Sequence, residues 1–334
     1  MRTFVIGDIH GCYDELMELT EKTGLKEDDL VIALGDIVDR GNKSKAVYDF
    51  LRGRPNTIVL IGNHERKHQN GILSYAQEIV KVQFGDDYPG FLHWLDTLGY
   101  YYETADAIIV HAFFEHDKKL QDQKPEVLCG STSGDRYLEK KYTPDTYWNE
   151  YYQGEKPIIY GHHVTRDAPK ITNNTYGIDT GCCHGHFLTA IELPGFKIHQ
   201  VKAKKDYWKE EQKIWQIPVL KAKNWGDMLF AEIDKQLAKL AYIEDAEIVR
   251  YLAGIKRWKE ELQDMLPLIK ADIDDLARKL SDKHQEGFSM VAGKYSFKTY
   301  IFKSRSGKLE IADLEKGLNT PNKIADIKDQ LGSH

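Results

Sequence analysis

Five short apolar runs in this chain each stop at, or one glycine before, a polar residue able to hold a cation, and this pattern constrains the fold more than any other. Thr3–Gly7 runs into Asp8, Leu30–Leu34 into Gly35 and Asp36, and Thr57–Ile61 into Gly62 and Asn63. Ala107–Val110 runs into His111, and Pro157–Tyr160 into Gly161 and His162. The runs are rich in Val, Ile and Thr and have strand length, as does a sixth at Phe187–Leu193. Between the first three lie amphipathic stretches. Tyr13–Lys22 places Leu16 and Leu19 on one face and meets a stop at Gly24, and Ser44–Arg52 buries Val47, Phe50 and Leu51. Strands alternating with helices define an α/β fold with parallel strands and crossover connections. In such a sheet the carboxyl ends of the strands open on one crevice, so acids and histidines at several strand ends converge there.

Three motifs occupy those ends: GDIHG at Gly7–Gly11, GDIVDRG at Gly35–Gly41 and GNHE at Gly62–Glu65. They bring Asp8, His10, Asp36, Asp39, Asn63, His64 and Glu65 to the crevice, joined by His111 and His162. The donors are oxygen and nitrogen with no thiolate, which suits Mn, Fe, Zn or Mg. Clustering so many carboxylates is tolerable only where cations neutralise them. Gly7, Gly35, Gly62 and Gly161 precede these residues, where a missing side chain permits tight turns.

In this order and placement the motifs resemble those of the phosphoprotein phosphatase family of metallophosphoesterases, over roughly residues 1–200. The stretch GIDTGCCHGHFLTAIEL is similar to the end of the catalytic domain in bacterial members, among them symmetrical diadenosine tetraphosphatases and the phosphatase module of polynucleotide kinase-phosphatases. CGSTSGDRY, YWNEYY and YGHH fit the latter branch best. The resemblance implies an α/β-sandwich of two mixed sheets flanked by helices. It implies two divalent ions, Mn foremost and Fe, Zn, Mg, Ni or Co as alternatives. Asp8, His10 and a bridging Asp36 would hold the first, and Asp36, Asn63, His111 and His162 the second. A hydroxide shared by the ions would attack phosphorus. His64 would protonate the leaving oxygen with Asp39 orienting it, while Arg40 and Asn63 would contact the phosphate. Asp39 and Arg40 also read as an ordinary ion pair, a role the motif context makes secondary. A second phosphate arginine is expected at Arg136, with Arg166 as its alternative. The resemblance permits a phosphoprotein, a dinucleoside polyphosphate or a phosphorylated nucleic-acid end as substrate. The expected one is a phosphomonoester of a protein (phosphoserine or phosphothreonine) or of a nucleic-acid end, with symmetrical diadenosine tetraphosphate hydrolysis as the alternative. A non-catalytic regulatory protein would be expected to lack a ligand or the acid, and none is missing.

Three departures stand out. VHAFF places Phe113 and Phe114 where small residues are usual, either narrowing the pocket or offering a base a stacking platform. Ile61 replaces the arginine that precedes GNHE in many eukaryotic members, and His186 replaces a common glycine. The aromatic residues of Tyr147–Tyr152 read either as core or as a nucleotide pocket.

The remainder is less specific. The 334 residues are 41% hydrophobic and 29% charged, an ordinary globular composition. Residues 201–334 hold 25 Lys and Arg against 22 Asp and Glu, a charge of +3, which leaves −9 of the total −6 to the first 200. Neither part is basic enough to announce nucleic-acid binding. No apolar run nears the roughly 20 residues of a membrane helix, and MRTFVIGDIHG lacks a signal-peptide core, so a cytoplasmic protein without membrane partners is expected. Cys12, Cys129, Cys182 and Cys183 form no C-x-x-C pair and read as free thiols; a soft-metal site with His184 and His186 is the disfavoured alternative. A catalytic domain over 1–202 is expected, then a mainly helical extension over 203–334 whose role the sequence does not reveal, the boundary falling within Lys202–Lys223. Helices are expected over Trp225–Leu240 and Ala246–Lys279, interrupted at Pro267, and a β-hairpin over Phe288–Ile311 turning at Ser306–Gly307. Lys303, Arg305 and Lys308 make an acidic macromolecular partner one reading of the extension and packing on the first domain the other.

Overall fold

A computed structural model describes residues 2–143, 147–241, 243 and 245–332. The chain divides into two compact units, Met1–Val219 and Leu220–His334. Among its described residues the first holds ten strands: β1 (Thr3–Ile6), β2 (Leu30–Ala33), β3 (Thr57–Val59), β4 (Tyr101–Glu103), β5 (Ile108–Val110), β6 (Ile158–Tyr160), β7 (Lys170–Thr172), β8 (Thr175–Gly177), β9 (Phe187–Leu193) and β10 (Lys197–Lys202). They form two mixed sheets, ordered β10-β9-β1-β2-β3 and β4-β5-β6-β8-β7. β1, β2 and β3 are parallel, with Thr3 opposite Leu30 and Val31 opposite Thr57, whereas β9 runs antiparallel to β1. In the second sheet β5, β6 and β8 are parallel, so the site-bearing strand ends point the same way within their sheets.

The period of two along the strands sorts residues between layers. Val5, Ile32, Ile109, Ile159 and Ile191 meet in one core shared by the two sheets. Ile6, Val31, Ala33 and Val59 point the other way, into a core completed by Leu16 and Leu19 of helix α1 (Tyr13–Thr23) and Val47 and Leu51 of α2 (Ser44–Gly53). On the outer face of the second sheet Ile108, Val110, Ile158 and Tyr160 pack with Trp148, Phe113 and Leu128. The expected α/β-sandwich is therefore present. α1 ends where expected, with Gly24 in the left-handed region at φ 57°. Three further helices follow β3: α3 (Asn63–Gln69), α4 (Tyr75–Phe84) and α5 (Tyr88–Leu95).

The first unit runs on to Val219. A helix over Tyr207–Ile214, capped by the Asp206 carboxylate accepting from Lys209 N, belongs to it. Fully buried Glu15 of α1 accepts through Oε1 from Lys204 N (2.9 Å) and from the Tyr207 hydroxyl (2.8 Å). Its Oε2 has no partner among the described residues. A chain ending at Lys202 strips a buried carboxylate of both donors and uncovers the surface beneath Tyr207. Hydrogen bonds to charged groups are worth about 1.5–3 kcal/mol each, so urea unfolding should place it about 3 kcal/mol or more below a chain ending at Val219. Equal stability would show that residues 203–219 are a passive linker.

Among its described residues the second unit holds helices and no strand. Expected Trp225–Leu240 is a helix over Phe230–Lys239, and the long segment is two helices, Ala246–Asp264 and Leu266–Lys283. Pro267 lies in the first turn of the latter, where its missing N–H costs little. The β-hairpin expected over Phe288–Ile311 is not formed: Phe288–Ala292 and Lys298–Arg305 are helices. Burial explains the correction. Phe288 with Ala292, and Phe297 with Ile301, are buried pairs four residues apart, while Phe302 between the alternating positions is exposed. Gly307, read as a hairpin turn, is a left-handed stop after the helix (φ 66°). The basic stretch there is partly consumed within the unit: Lys303 pairs with Asp313 at 2.6 Å, and the Arg305 guanidinium lies 4.0 Å from the Phe288 ring centre. Among the described residues no helix is long and apolar enough to cross a membrane.

Candidate active site

The parallel strands deliver their terminal loops to one place. His10, Asp36, Asp39, Arg40 and His162 all have left-handed backbone, φ 47°, 48°, 71°, 65° and 70°. They are half of the ten non-glycine residues with positive φ among the described residues, a concentration of strain that marks functional sites. Two glycines are required by close approach. A Cβ on Gly62 would sit 2.2 Å from Asp36 Oδ1, and one on Gly161 would sit 2.1 Å from Asp8 Oδ1.

Asp36 is the centre. Its Oδ1 accepts from His64 N at 3.0 Å and faces His111 Nε2 at 3.5 Å, while its Oδ2 faces His10 Nε2 at 3.6 Å. The two oxygens thus look toward two different groups of side chains. His10, Asp36 and His64 form one group, and Asp36, His111 and His162 another, with donor atoms in each within 4.8 Å of one another. Asn63 Oδ1 joins the second, 3.2 Å from His111 Nε2 and 2.9 Å from His162 Nδ1. Asp8 accepts from His162 N at 3.3 and 3.2 Å through its two oxygens.

The protonation pattern leaves lone pairs facing lone pairs. His111 Nδ1 lies 3.1 Å from Leu34 O and His10 Nδ1 2.9 Å from Val38 O. A carbonyl only accepts, so both Nδ1 atoms carry the proton and both Nε2 atoms are bare. Burial holds both imidazoles neutral by lowering their pKa, with His10 further lowered by Arg40. Bare His111 Nε2 therefore confronts Asp36 Oδ1 and Asn63 Oδ1 with no hydrogen between them. Carboxylates crowd in the same way: burial, then Asp179 and Asp36, push Asp8 well above its ordinary range, and burial with Asp36 pushes Asp179 up to about 6. Asp36 is held below its ordinary range against its burial, helped by the His64 backbone N–H that donates to it. Facing acceptors with so few donors among them fit divalent cations, and the Nδ1–carbonyl bonds are the usual means of aiming metal-binding histidines.

His64, on the first turn of α3, has a different environment. Its Nδ1 lies 2.5 Å from Asp39 Oδ2, which leaves Nε2 toward the cluster, 3.9 Å from Asp36 Oδ2. Asp39 is fully buried, yet His68 and His64 hold its pKa far below the usual carboxylate range. Arg40 Nη1 lies 3.3 Å from His10 Nε2, so its guanidinium is at the cluster's edge. Arg136, on the helix Thr132–Leu138, and exposed Arg166 make no hydrogen bond or ion pair to the cluster among the described residues.

Sequence reasoning left Asp179 without a role, although Tyr176–Gly177–Ile178–Asp179 repeats the strand, glycine and acid pattern at the end of β8. Glu65 is a brace: its carboxylate accepts from Asp36 N (2.7 Å), Ile37 N (3.0 Å) and Gly62 N (3.1 Å), locking two motif loops together. Beside His162 opens a cavity of 1120 Å³ whose walls include Phe113, Tyr147, Trp148, His163 and Lys170. Phe113 touches His162 edge-on, centroids 5.2 Å apart, and His163 lies 4.9 Å from the same ring. Phe114 instead packs on Trp148 and Tyr152 in the core. All four cysteines are free and buried. Cys12, Glu15 and Cys182 group together, and no such group joins Cys183, His184 or His186 among the described residues.

The fold and this acceptor cluster define a metallophosphoesterase. Residues 1–190 match the family described as calcineurin-like phosphoesterase, and the chain belongs to that family, whose members are phosphoric ester hydrolases that use a pair of divalent metals. It is 28% identical over 236 residues to the asymmetrical bis(5'-nucleosyl)-tetraphosphatase PrpE of Bacillus velezensis, covering 61% of this chain and 93% of that one. It is 30% identical over 241 residues to PrpE of Anoxybacillus flavithermus, covering 62% and 96%. Among solved structures, a chain with a proposed diadenosine tetraphosphatase assignment aligns with a TM-score of 0.50 at 20% identity, covering 60% of this chain and 93% of its own.

Proposed function

We propose that this phosphoesterase cleaves a phosphate linkage in a nucleotide, with a dinucleoside tetraphosphate as the favoured substrate. The observation that carries the reading is the cavity beside His162. At 1120 Å³ it has room for a nucleoside, and Phe113, Tyr147 and Trp148 supply faces and edges for a base. Asp135, Glu139 and Glu150 in its lining accept N–H donors such as a purine amine and repel phosphate, so the base and not the phosphate chain suits that part. The names carried by the Bacillus and Anoxybacillus relatives point the same way.

Asp8, His10 and Asp36 would hold one divalent ion, and Asp36, Asn63, His111 and His162 the other, with Mn the first choice for these donors. Bound there, the pair supplies Lewis acidity toward phosphoryl oxygen and toward water. Arg40 grips a phosphoryl oxygen with its forked donors. His64 holds on Nε2 the proton that passes to the leaving oxygen, and Asp39 keeps Nδ1 protonated and fixed in direction. Glu65 keeps the loops bearing Asp36 and Asn63 in register by its three backbone bonds.

Rates with Mn on diadenosine tetraphosphate, a phosphoserine peptide, a 3'-phosphorylated oligonucleotide and p-nitrophenyl phosphate test the reading. The expected order puts diadenosine tetraphosphate first in kcat/KM by roughly 10²-fold or more, the value of a filled base pocket. ATP with AMP as products identifies asymmetrical cleavage, and ADP alone symmetrical cleavage. A phosphopeptide in first place would remove the nucleotide from the proposal, and no turnover on any of the four would favour a binding protein.

A further inference from the structure

Behind the proposed general acid lies a second buried histidine that the chemistry described so far does not use. His64 and His68 stand four residues apart on α3, so both rings project from one helix face, with Asp39 between them. Asp39 Oδ2 takes the bond from His64 Nδ1, and Asp39 Oδ1 lies 3.0 Å from His68 Nε2. His68 Nδ1 in turn lies 2.8 Å from the Tyr88 hydroxyl. Gln77 Nε2, from α4, closes the fourth side by donating to Asp39 Oδ2.

The directions of these bonds are determined. Asp39 is ionised and only accepts, so His68 Nε2 carries a proton and donates to it. Burial, reinforced by Asp39, pushes the Tyr88 hydroxyl up to about 12, so the phenol stays protonated and donates to His68 Nδ1. The His68 side chain is wholly buried, and the rings of Phe91 and Tyr88, 5.4 and 5.7 Å away, pack against it. Three elements, α3, α4 and α5, therefore fix one carboxylate on both of its oxygens in a dry setting.

We infer that His68 is a positioning residue for the hydrolytic step: from Asp39's second oxygen it fixes the plane of the carboxylate, and through it the direction of His64 Nε2. The inference rests on the reading of His64 as the acid. His68 transfers no proton. As the phosphorus–oxygen bond to the leaving group breaks, that oxygen takes the proton from His64 Nε2, while Nδ1–H stays with Asp39 and Asp39 stays ionised. Without His68 the buried Oδ1 loses its donor, and the carboxylate can turn toward the space vacated, taking the His64 ring with it. A misdirection of about 1 Å at a reacting group costs roughly 10²-fold in rate.

A core histidine that merely packs would behave differently, and leaving-group dependence separates the two. His64→Ala, His68→Ala, His68→Gln and the double variant His64→Ala/His68→Ala are compared in the full chain with Mn content measured. The substrates are p-nitrophenyl phosphate, whose leaving group departs without protonation, and an alkyl phosphate, whose leaving group does not. His68→Ala is expected to lose roughly 10–10²-fold in kcat on the alkyl ester and far less on the aryl ester, with KM and Mn content held. His68→Gln places an amide N–H near the lost Nε2 and should restore most of the loss. The double variant should be no slower than His64→Ala, since the effect passes through His64.

Equal losses on both esters, an unchanged His68→Ala, or a double variant slower by the full single-variant factor would each overturn the role. If His68→Ala does not fold, Tyr88→Phe removes only the hydroxyl that orients His68. A loss confined to the alkyl ester supports the inference, and unchanged or uniform rates refute it. If His64→Ala itself loses equally on both esters, the acid assignment fails and the positioning role falls with it. A selective His64→Ala beside an indifferent His68→Ala refutes the positioning role alone.

Discussion

Replacing Asp36 by asparagine is expected to lower hydrolysis by more than about 10³-fold on every substrate and to reduce the Mn retained by the chain. The two carboxylate oxygens point in separate directions, Oδ1 toward His111 and Oδ2 toward His10. An amide offers one oxygen and one N–H₂, so one side of the site would meet a donor where it needs an acceptor. Misfolding is separable from this effect. The Asp36→Asn side chain keeps an oxygen to accept from His64 N and relieves the repulsion that raises Asp8 and Asp179, so the chelator-treated variant should melt no lower than chelator-treated wild type. Retained Mn with turnover near wild type would remove Asp36 from the centre of the account.

The second large effect belongs to His64. His64→Ala should keep its metal and lose roughly 10²–10⁴-fold on substrates with poor leaving groups, the range of general acid catalysis, and much less on p-nitrophenyl phosphate. Loss of bound metal in step with activity would instead make His64 a ligand, a possibility its place beside His10 and Asp36 keeps chemically concrete.

The convergence of these side chains is legible in the sequence because each strand-end residue sits at a position that parallel topology must bring to one edge. β1, β2, β3, β5 and β6 are apolar runs, and the residues after them, Asp8, Asp36, Asn63, His111 and His162, meet as expected. Asp179 follows the same rule, but β8 (Thr175–Gly177), although as long as β5 and β6, is Thr-Tyr-Gly and lacks their run of Ile and Val. β4 and β7 have polar or exposed residues with no clean alternation, as edge strands do, and left no signal. His68 was invisible for another reason: its partners Asp39 and Tyr88 are distant in sequence, and only the fold shows that two α3 histidines share one carboxylate. SFKTYIFK alternates like a hairpin strand while also placing Phe297 and Ile301 at helical spacing. Short apolar runs do not distinguish the two periods, and the core formed with Leu266, Ile269 and Ile273 selects the helix.

The central claim, that one carboxylate serves two cations between the two sheets, is tested most directly by titrating chelator-treated protein with Mn while following electron paramagnetic resonance and hydrolysis together. The expected result is uptake of about two ions per chain, the spectrum of an exchange-coupled pair at saturation, and hydrolysis that rises with that coupled signal. Full activity with a single ion per chain and only the spectrum of isolated Mn would contradict it.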